Sequence, residues 1–359
     1  MANRSDLSPR HQNILKATIK HYIATAEPVA SKTLAQQYDF NVSSATIRNV
    51  MGRLEEAGLL YQPHTSAGRV PSDSGYRTYV DRLIVPDEKI DKAIQNILQQ
   101  DLQVAKASFE ALLQRAAKIL ATLSGYIALI TFPQNLNSTL RHLQLVKVAS
   151  DRVMLIVVTD CYQTQSILIE SPLQKDEVGE LTIDRELELL SNFLNRELTG
   201  RSLTEIVALD WTEIDREFAQ YTDFLDLLLD RLKLSLQVTN SNPIIIQGIA
   251  ELLRQPEFSQ LEQVQTLLSL LEEQERLSPV IFTLPEPADF LKRVRIKIGI
   301  ENHLEPMRTC TLVSANYYQD DLPVGSVGIL GPKRMLYENA IALVENTANY
   351  LSNPFQVLT

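Results

Sequence analysis

The chain has 359 residues, 45% of them hydrophobic, and its 34 Lys and Arg against 44 Asp and Glu leave a formal net charge of −10. That length exceeds what one hydrophobic core usually serves, so two or three domains are expected, and the composition excludes a disordered chain. Two cysteines, Cys161 and Cys310, exclude a disulfide framework or a four-ligand zinc site and read as buried structural thiols. Near the start, Arg4, Asp6, Arg10, Lys16 and Lys20 break up any apolar signal core. Apolar runs such as Val153 to Val158 are too short to cross a bilayer, so a cytoplasmic protein without a membrane partner is expected.

Residues 1–85 carry ten Lys and Arg against seven Asp and Glu, a balance of +3, which leaves −13 on the remainder. A small basic module attached to an acidic body fits that asymmetry. Ser8-Pro9 predicts a helix start, with Ile14, Leu15, Thr18, Ile19, Tyr22 and Ile23 on one face and Glu27-Pro28 as its end. Ser31 is placed to cap a short second helix whose inner face is Leu34, Ala35 and Tyr38. A third helix, capped by Ser43 or Ser44, runs to Gly58, which suits the left-handed position after a helix end.

In this third helix Ile47, Val50, Met51 and Leu54 face inward, whereas Ser44, Ala45, Thr46, Arg48, Asn49, Gly52 and Arg53 face outward. Arg pairs bidentately with guanine and Asn with adenine, and small residues let a helix approach the major groove, so the spacing predicts a helix-turn-helix with a base-reading face. From this helix alone, the solvated face of a three-helix bundle is an equal alternative. The next segment, "PHTSAGRVPSDSGYR" from Pro63 to Arg77, has almost nothing to place in a core. With "LLYQ" before it as a strand, "PHTSAG" reads as a turn with Gly68 free to take positive φ, and "RV" as the return strand before a helix capped by Ser72. Such a ribbon after a recognition helix is a wing, and His64, Thr65, Ser66 and Arg69 at its tip are suited to phosphate oxygens. Arg77, which closes the stretch, completes the expected DNA-binding set of Ser44, Thr46, Arg48, Asn49, Arg53, His64, Thr65, Ser66, Arg69 and Arg77.

The segments "LSPRHQNILKATIKHYI", "EPVASKTLAQQY" and "VSSATIRNVMGRLEEAGLLYQPHTSAGRVPSDSGYRTYVDRL" resemble the start of the heat-inducible transcription repressor family HrcA. "IKIGIEN", "CTLVSANY" and "VGILGPKRMLYENAI" are similar to its carboxyl-terminal motifs, and the likeness is thinner through about 170 to 280. Ala26 and Ala30 stand where the family pattern usually has glycine. The resemblance implies a multidomain α+β protein with an N-terminal winged helix-turn-helix and a GAF-like sheet domain that carries an inserted helical dimerisation domain. It further implies a dimeric repressor that binds an inverted-repeat operator on double-stranded DNA and blocks chaperone and chaperonin operons until heat shock. A chaperonin (GroEL type) is implied as its modulator, and no cofactor or catalysis is.

Residues 86–124 are expected to be a long, mostly polar linker helix striped by Ile90, Ile94, Ile97 and Leu98. Strand signals at Tyr126 to Thr131, His142 to Ala149, Val153 to Thr159 and Ser166 to Glu170 place the first part of the sheet domain at 125–200. A helical dimerisation insertion at 201–280 follows, with a stripe of Tyr221, Phe224, Leu225, Leu228 and Leu232 and a second seam of Leu261, Val264, Leu268 and Leu271. Strands at Val294 to Ile300, Thr311 to Tyr317 and Ser326 to Leu330 and a helix from Leu336 to Leu351 form the second part, 281–359. Packing within one monomer explains both leucine patterns equally well.

Two other functional classes share part of this pattern. A winged-helix regulator whose body senses a small ligand fits the same amino-terminal pattern. An enzyme with a nucleic-acid-binding appendage needs a catalytic constellation. In "VGSVGILGPKRM", Gly325, Gly328, Gly331 and Lys333 meet neither P-loop nor dinucleotide spacing, and His142 and His303 lack a partner motif.

Overall fold

The computed structural model describes residues 7–85, 88–102, 109–133, 139–149, 151–159, 164–170, 180–202, 205–206, 221–238, 243–282, 293–319 and 322–357. Cys161 lies outside the described residues.

Helix α1 (Pro9–Thr25) begins where expected, with the Ser8 hydroxyl accepting from the His11 N–H and Pro9 in the first turn. It ends on Ala26, whose φ of 57° is left-handed and whose N–H donates to the Tyr22 carbonyl. Helix α2 (Ser31–Gln37) starts after Ala30, and no side chain caps it, so Ser31 is not the cap it was expected to be. Helix α3 (Ser44–Glu56) is capped by Ser43, whose oxygen accepts from the Thr46 N–H at 3.2 Å, and Gly58 takes φ 73° behind it.

Strands β1 (Leu60–Tyr61) and β2 (Val70–Pro71) pair antiparallel, and Val29 extends the ribbon by exchanging backbone hydrogen bonds with Arg69. Gly68 does not take positive φ. A Cβ there would instead run into the Pro28–Val29 backbone, so the glycine permits a close approach of chains. Ser72 then caps α4 (Asp73–Arg82) by accepting from the Gly75 N–H at 3.0 Å.

Five antiparallel strands build the main sheet in the order β7 (Ile244–Gln247), β3 (Ile127–Thr131), β10 (Leu322–Pro332), β9 (Cys310–Gln319) and β8 (Val294–Ile298). Strand alternation sorts its residues onto two faces. On one, Val313, Ala315, Tyr317, Val327 and Ile329 join a cluster with α5 (Glu88–Leu102), α6 (Phe109–Ser124) and α12 (Tyr337–Val357). On the other, Ile127, Leu129, Leu312 and Leu330 meet α10 (Leu261–Glu272) and α11 (Gln274–Ile281), which follow a short α9 (Ile249–Leu252). Residues 86–124 are therefore no single polar linker. Ile94, Leu98 and Leu102 of α5 and Leu113, Ala116 and Leu120 of α6 are buried in the sheet's core.

The remaining strands, β4 (Leu140–Ala149), β5 (Arg152–Thr159) and β6 (Thr164–Glu170), form a separate three-stranded sheet. Its inner residues Leu143, Leu145, Val153, Leu155 and Val157 pack with α7 (Glu180–Leu198) and α8 (Thr222–Val238). The chain accordingly divides into one compact unit of Met1–Phe132 with Pro243–Thr359 and another of Pro133–Asn242. This corrects the expected boundaries. Residues 140–170 belong to the insertion, which is mixed α and β, and 243–280 belongs to the main unit. The expected stripe on α8 is buried at Phe224, Leu225, Leu228 and Leu232. The expected seam on α10 is buried only in part: Leu261 is 70% exposed and Val264 and Leu268 are partly buried, while Leu271 packs with Leu267 and Leu270 against the sheet. No helix among the described residues is long and apolar enough to cross a membrane.

Left-handed backbone costs a residue with a Cβ roughly 1–2 kcal/mol, and glycine escapes that cost. Ala26→Gly should therefore stabilise the main unit by about 1 kcal/mol after allowing for the glycine's extra unfolded-state entropy, measured as a higher denaturant midpoint. Ala30→Gly, at an ordinary φ of −88°, should give no such gain.

Candidate nucleic-acid interface

The two faces of α3 separate cleanly. Ile47, Val50, Met51 and Leu54 are buried in a cluster with Leu15, Ile19 and Leu34, which roots the helix at roughly 1.5–3 kcal/mol per large apolar side chain. Ser44, Arg48, Asn49 and Arg53 are exposed on the opposite side. Thr46 is half-buried, and its hydroxyl lies 3.0 Å from the Ser43 hydroxyl in the cap. Its role is therefore tied to starting the helix. An exposed row of one guanidinium, one carboxamide and a second guanidinium along a rigid helix is chemically able to read base edges.

The ribbon's tip is organised by a side chain that no sequence signal marks as functional. Gln62 donates its side-chain amide to the carbonyls of Thr65 at 2.9 Å and Ala67 at 2.8 Å, while the Ala67 N–H donates to the His64 carbonyl. The turn thus holds its shape through its own carbonyls and leaves His64, Thr65 and Ser66 exposed. In sequence Gln62 had only its place beside the turn to mark it.

Both arginines of the stretch from Pro63 to Arg77 have protein partners. The Arg69 Nη2 lies 2.8 Å from the Glu55 carboxylate of α3, and its backbone pairs with Val29. Arg69 thereby braces the ribbon against α3. The Arg77 Nε donates to the Glu301 carboxylate at 2.9 Å, its Nη2 donates to the same carboxylate and to the Ile296 carbonyl at 2.6 Å, and Asp81 takes Nη1 at 3.2 Å. The carboxylate raises the affinity of this guanidinium for its proton. Of the expected set, Arg77 is thus the member whose guanidinium is engaged by the body, with α4 lying against β8.

The glycine-rich β10 forms no phosphate cradle. Gly325 lies against the ring of Tyr317 and Gly331 against that of Tyr126, so each glycine makes room for an aromatic side chain. Lys333 is engaged by Asp73 at 2.7 Å. Burial pushes the Cys310 thiol up to about 11, which keeps it protonated and unreactive. Among the described residues no group of three or more His, Cys, Asp or Glu is placed to hold a metal ion.

Residues 110–341 match the family model described as the HrcA protein C terminal domain. A protein of Cyanothece sp. called heat-inducible transcription repressor HrcA is 56% identical, with 97% of each chain covered. One of the same name from Nostoc punctiforme is 54% identical over 97% of this chain and 98% of its own. A crystal structure of a hypothetical protein, 23% identical, superimposes with a TM-score of 0.63 over 99% of this chain and 100% of its own, which is a likeness of fold.

The brace between ribbon and helix has a measurable consequence. Glu55→Gln should change global stability by less than about 1 kcal/mol, since the pair is partly solvated. Amide exchange across residues 62–69 should nevertheless accelerate while α3 stays protected. Unchanged exchange in the ribbon would mean that Arg69 and Glu55 do not hold it.

Proposed function

The chain belongs to the HrcA family of heat-inducible transcription repressors, and from that premise we propose that it binds an inverted-repeat operator ahead of chaperone and chaperonin operons as a homodimer and blocks their transcription until heat shock. The observation that carries this reading is the exposed row Ser44, Arg48, Asn49 and Arg53 on a helix rooted by four buried apolar residues. Helices α2 and α3 with the β1–β2 ribbon form a winged helix-turn-helix in this reading. Arg48 and Asn49 read base edges in the major groove. His64, Thr65 and Ser66 at the ribbon tip position the protein on phosphates, and Arg69 acts through the shape of the ribbon. The main sheet is the GAF-like body, and the unit 133–242, with its own apolar core, is the inserted dimerisation domain.

Two-fold symmetry of the dimer matches an inverted repeat, one module per half-site. The heat signal reaches it through folding capacity. Completing the main sheet requires β3 to find β7 across the whole of 133–242, and such long-range pairing is slow and exposes apolar surface on the way. A chaperonin that assists this closure keeps the repressor active, and heat-damaged clients compete for it.

Base reading is tested by Arg48→Ala, which should cost about 1 to 3 kcal/mol at the cognate operator and little on random DNA. If discrimination between cognate and scrambled duplexes survives the change, Arg48 does not read bases. The chaperonin's part is tested by titrating operator binding against temperature. Purified protein should lose binding on warming, and chaperonin with ATP should restore the active fraction. Full, reversible recovery without chaperonin would favour an intrinsic thermometer.

A further inference from the structure

The amino-terminal module is not tethered to the sheet by a linker; it shares a core with it. One apolar cluster runs from Ile14, Leu54 and Leu60 through Tyr76 and Tyr79 to Val313, Tyr317 and Tyr337. The rings of Tyr76 and Tyr79 lie 5.8 and 6.3 Å from that of Tyr337, and the Tyr79 hydroxyl donates to Glu338 at 2.6 Å.

Around this core, polar contacts cross from the module to the body. Asp73 accepts from Lys333 at 2.7 Å and from the Ile300 N–H at 3.1 Å. Arg77 grips Glu301, which also accepts from the Ile298 N–H at 2.9 Å. Arg334 donates to the Ile23 carbonyl at the end of α1 at 2.7 Å while paired with Glu257. The same first turn of α4 reaches the other way, since the Ser72 hydroxyl donates to the Gly58 carbonyl, just past the end of α3, at 2.6 Å. Asp73 and its neighbour Ser72 thus connect the exposed helix to the sheet within two residues.

We infer that Asp73 and Arg77 are positioning residues for operator binding: they lock α4 to the β8 edge so that α3 is presented at a set angle to the body. The inference rests on the DNA-binding reading of α3 given above. A locked module lets the second half-site be engaged as an intramolecular event at little further orientational cost, whereas a loosened one forfeits part of that gain. Neither residue touches DNA. Both act through the body.

The test uses the full-length chain and two variants that approach the lock from opposite sides, Arg77→Met and Glu301→Gln. Each should accelerate amide exchange in α4 and residues 294–301 while leaving α1 and α3 protected. Each should bind a duplex with one half-site as wild type does, within twofold, yet bind the complete operator about tenfold more weakly. A half-turn insertion of about five base pairs between half-sites, which should disable wild type, should penalise the variants less. Faster exchange with unchanged operator affinity and spacing penalty would overturn the inference, as would unchanged exchange. Loss of half-site binding in Arg77→Met but not in Glu301→Gln would overturn it by returning Arg77 to the DNA. Wild-type protein indifferent to the insertion would remove the two-half-site premise itself, and the exchange data would still show whether the lock exists.

Discussion

The carboxylate of Asp73 sets the geometry of the main unit. It sits in the first turn of α4, where the helix N-terminus favours negative charge, and it takes one donor from a backbone turn and one from Lys333. Two glycines make the approach possible. A Cβ at Gly75 would strike the Leu59 carbonyl, and one at Gly299, where φ is +54°, would occupy the space of the Asp73 carboxylate itself. Helix α3, the ribbon and the sheet are referred to one another through this turn.

A second constraint lies where the chain leaves and re-enters the sheet. Phe132 and Pro243 are neighbours, joined by a hydrogen bond from the Phe132 N–H to the Pro243 carbonyl at 3.2 Å, and β3 and β7 continue from them in antiparallel register. Because both ends emerge side by side, the unit 133–242 is inserted without distorting the sheet. The entropic cost of closing such a loop grows only with the logarithm of its length. The folding rate bears more of the burden than the stability does.

Much of the amino-terminal module was legible because its signals are local. Ser8, Ser43 and Ser72 cap their helices, and the period of Ile47, Val50, Met51 and Leu54 marks the buried side of α3. The strands of both sheets other than β7 were placed nearly correctly by β-branched alternation, but their grouping was not. Nothing within Leu140–Glu170 says which sheet its strands join, since alternation specifies a face and not a partner. Strand β7 was missed although "PIIIQ" is a run of β-branched residues, because it stands alone between helical segments. On α10 the expected seam of Leu261, Val264, Leu268 and Leu271 shares only Leu271 with the leucines buried against Ile127, Leu129 and Leu312, which are Leu267, Leu270 and Leu271.

The stretch from Pro63 to Arg77 shows where local information ends. By itself the sequence determined that a turn and a capped helix lay among these residues, since glycine, proline and cap hydroxyls act within a few residues of themselves; that Val70 and Tyr76 among them are buried in the core was not foreseen. Tertiary structure decided what the donors were for. Arg69 met a carboxylate fourteen positions back on α3, and Arg77 met one 224 positions away. A guanidinium binds phosphate and carboxylate by the same fork of donors, so its partner follows from which anion the folded chain brings within reach.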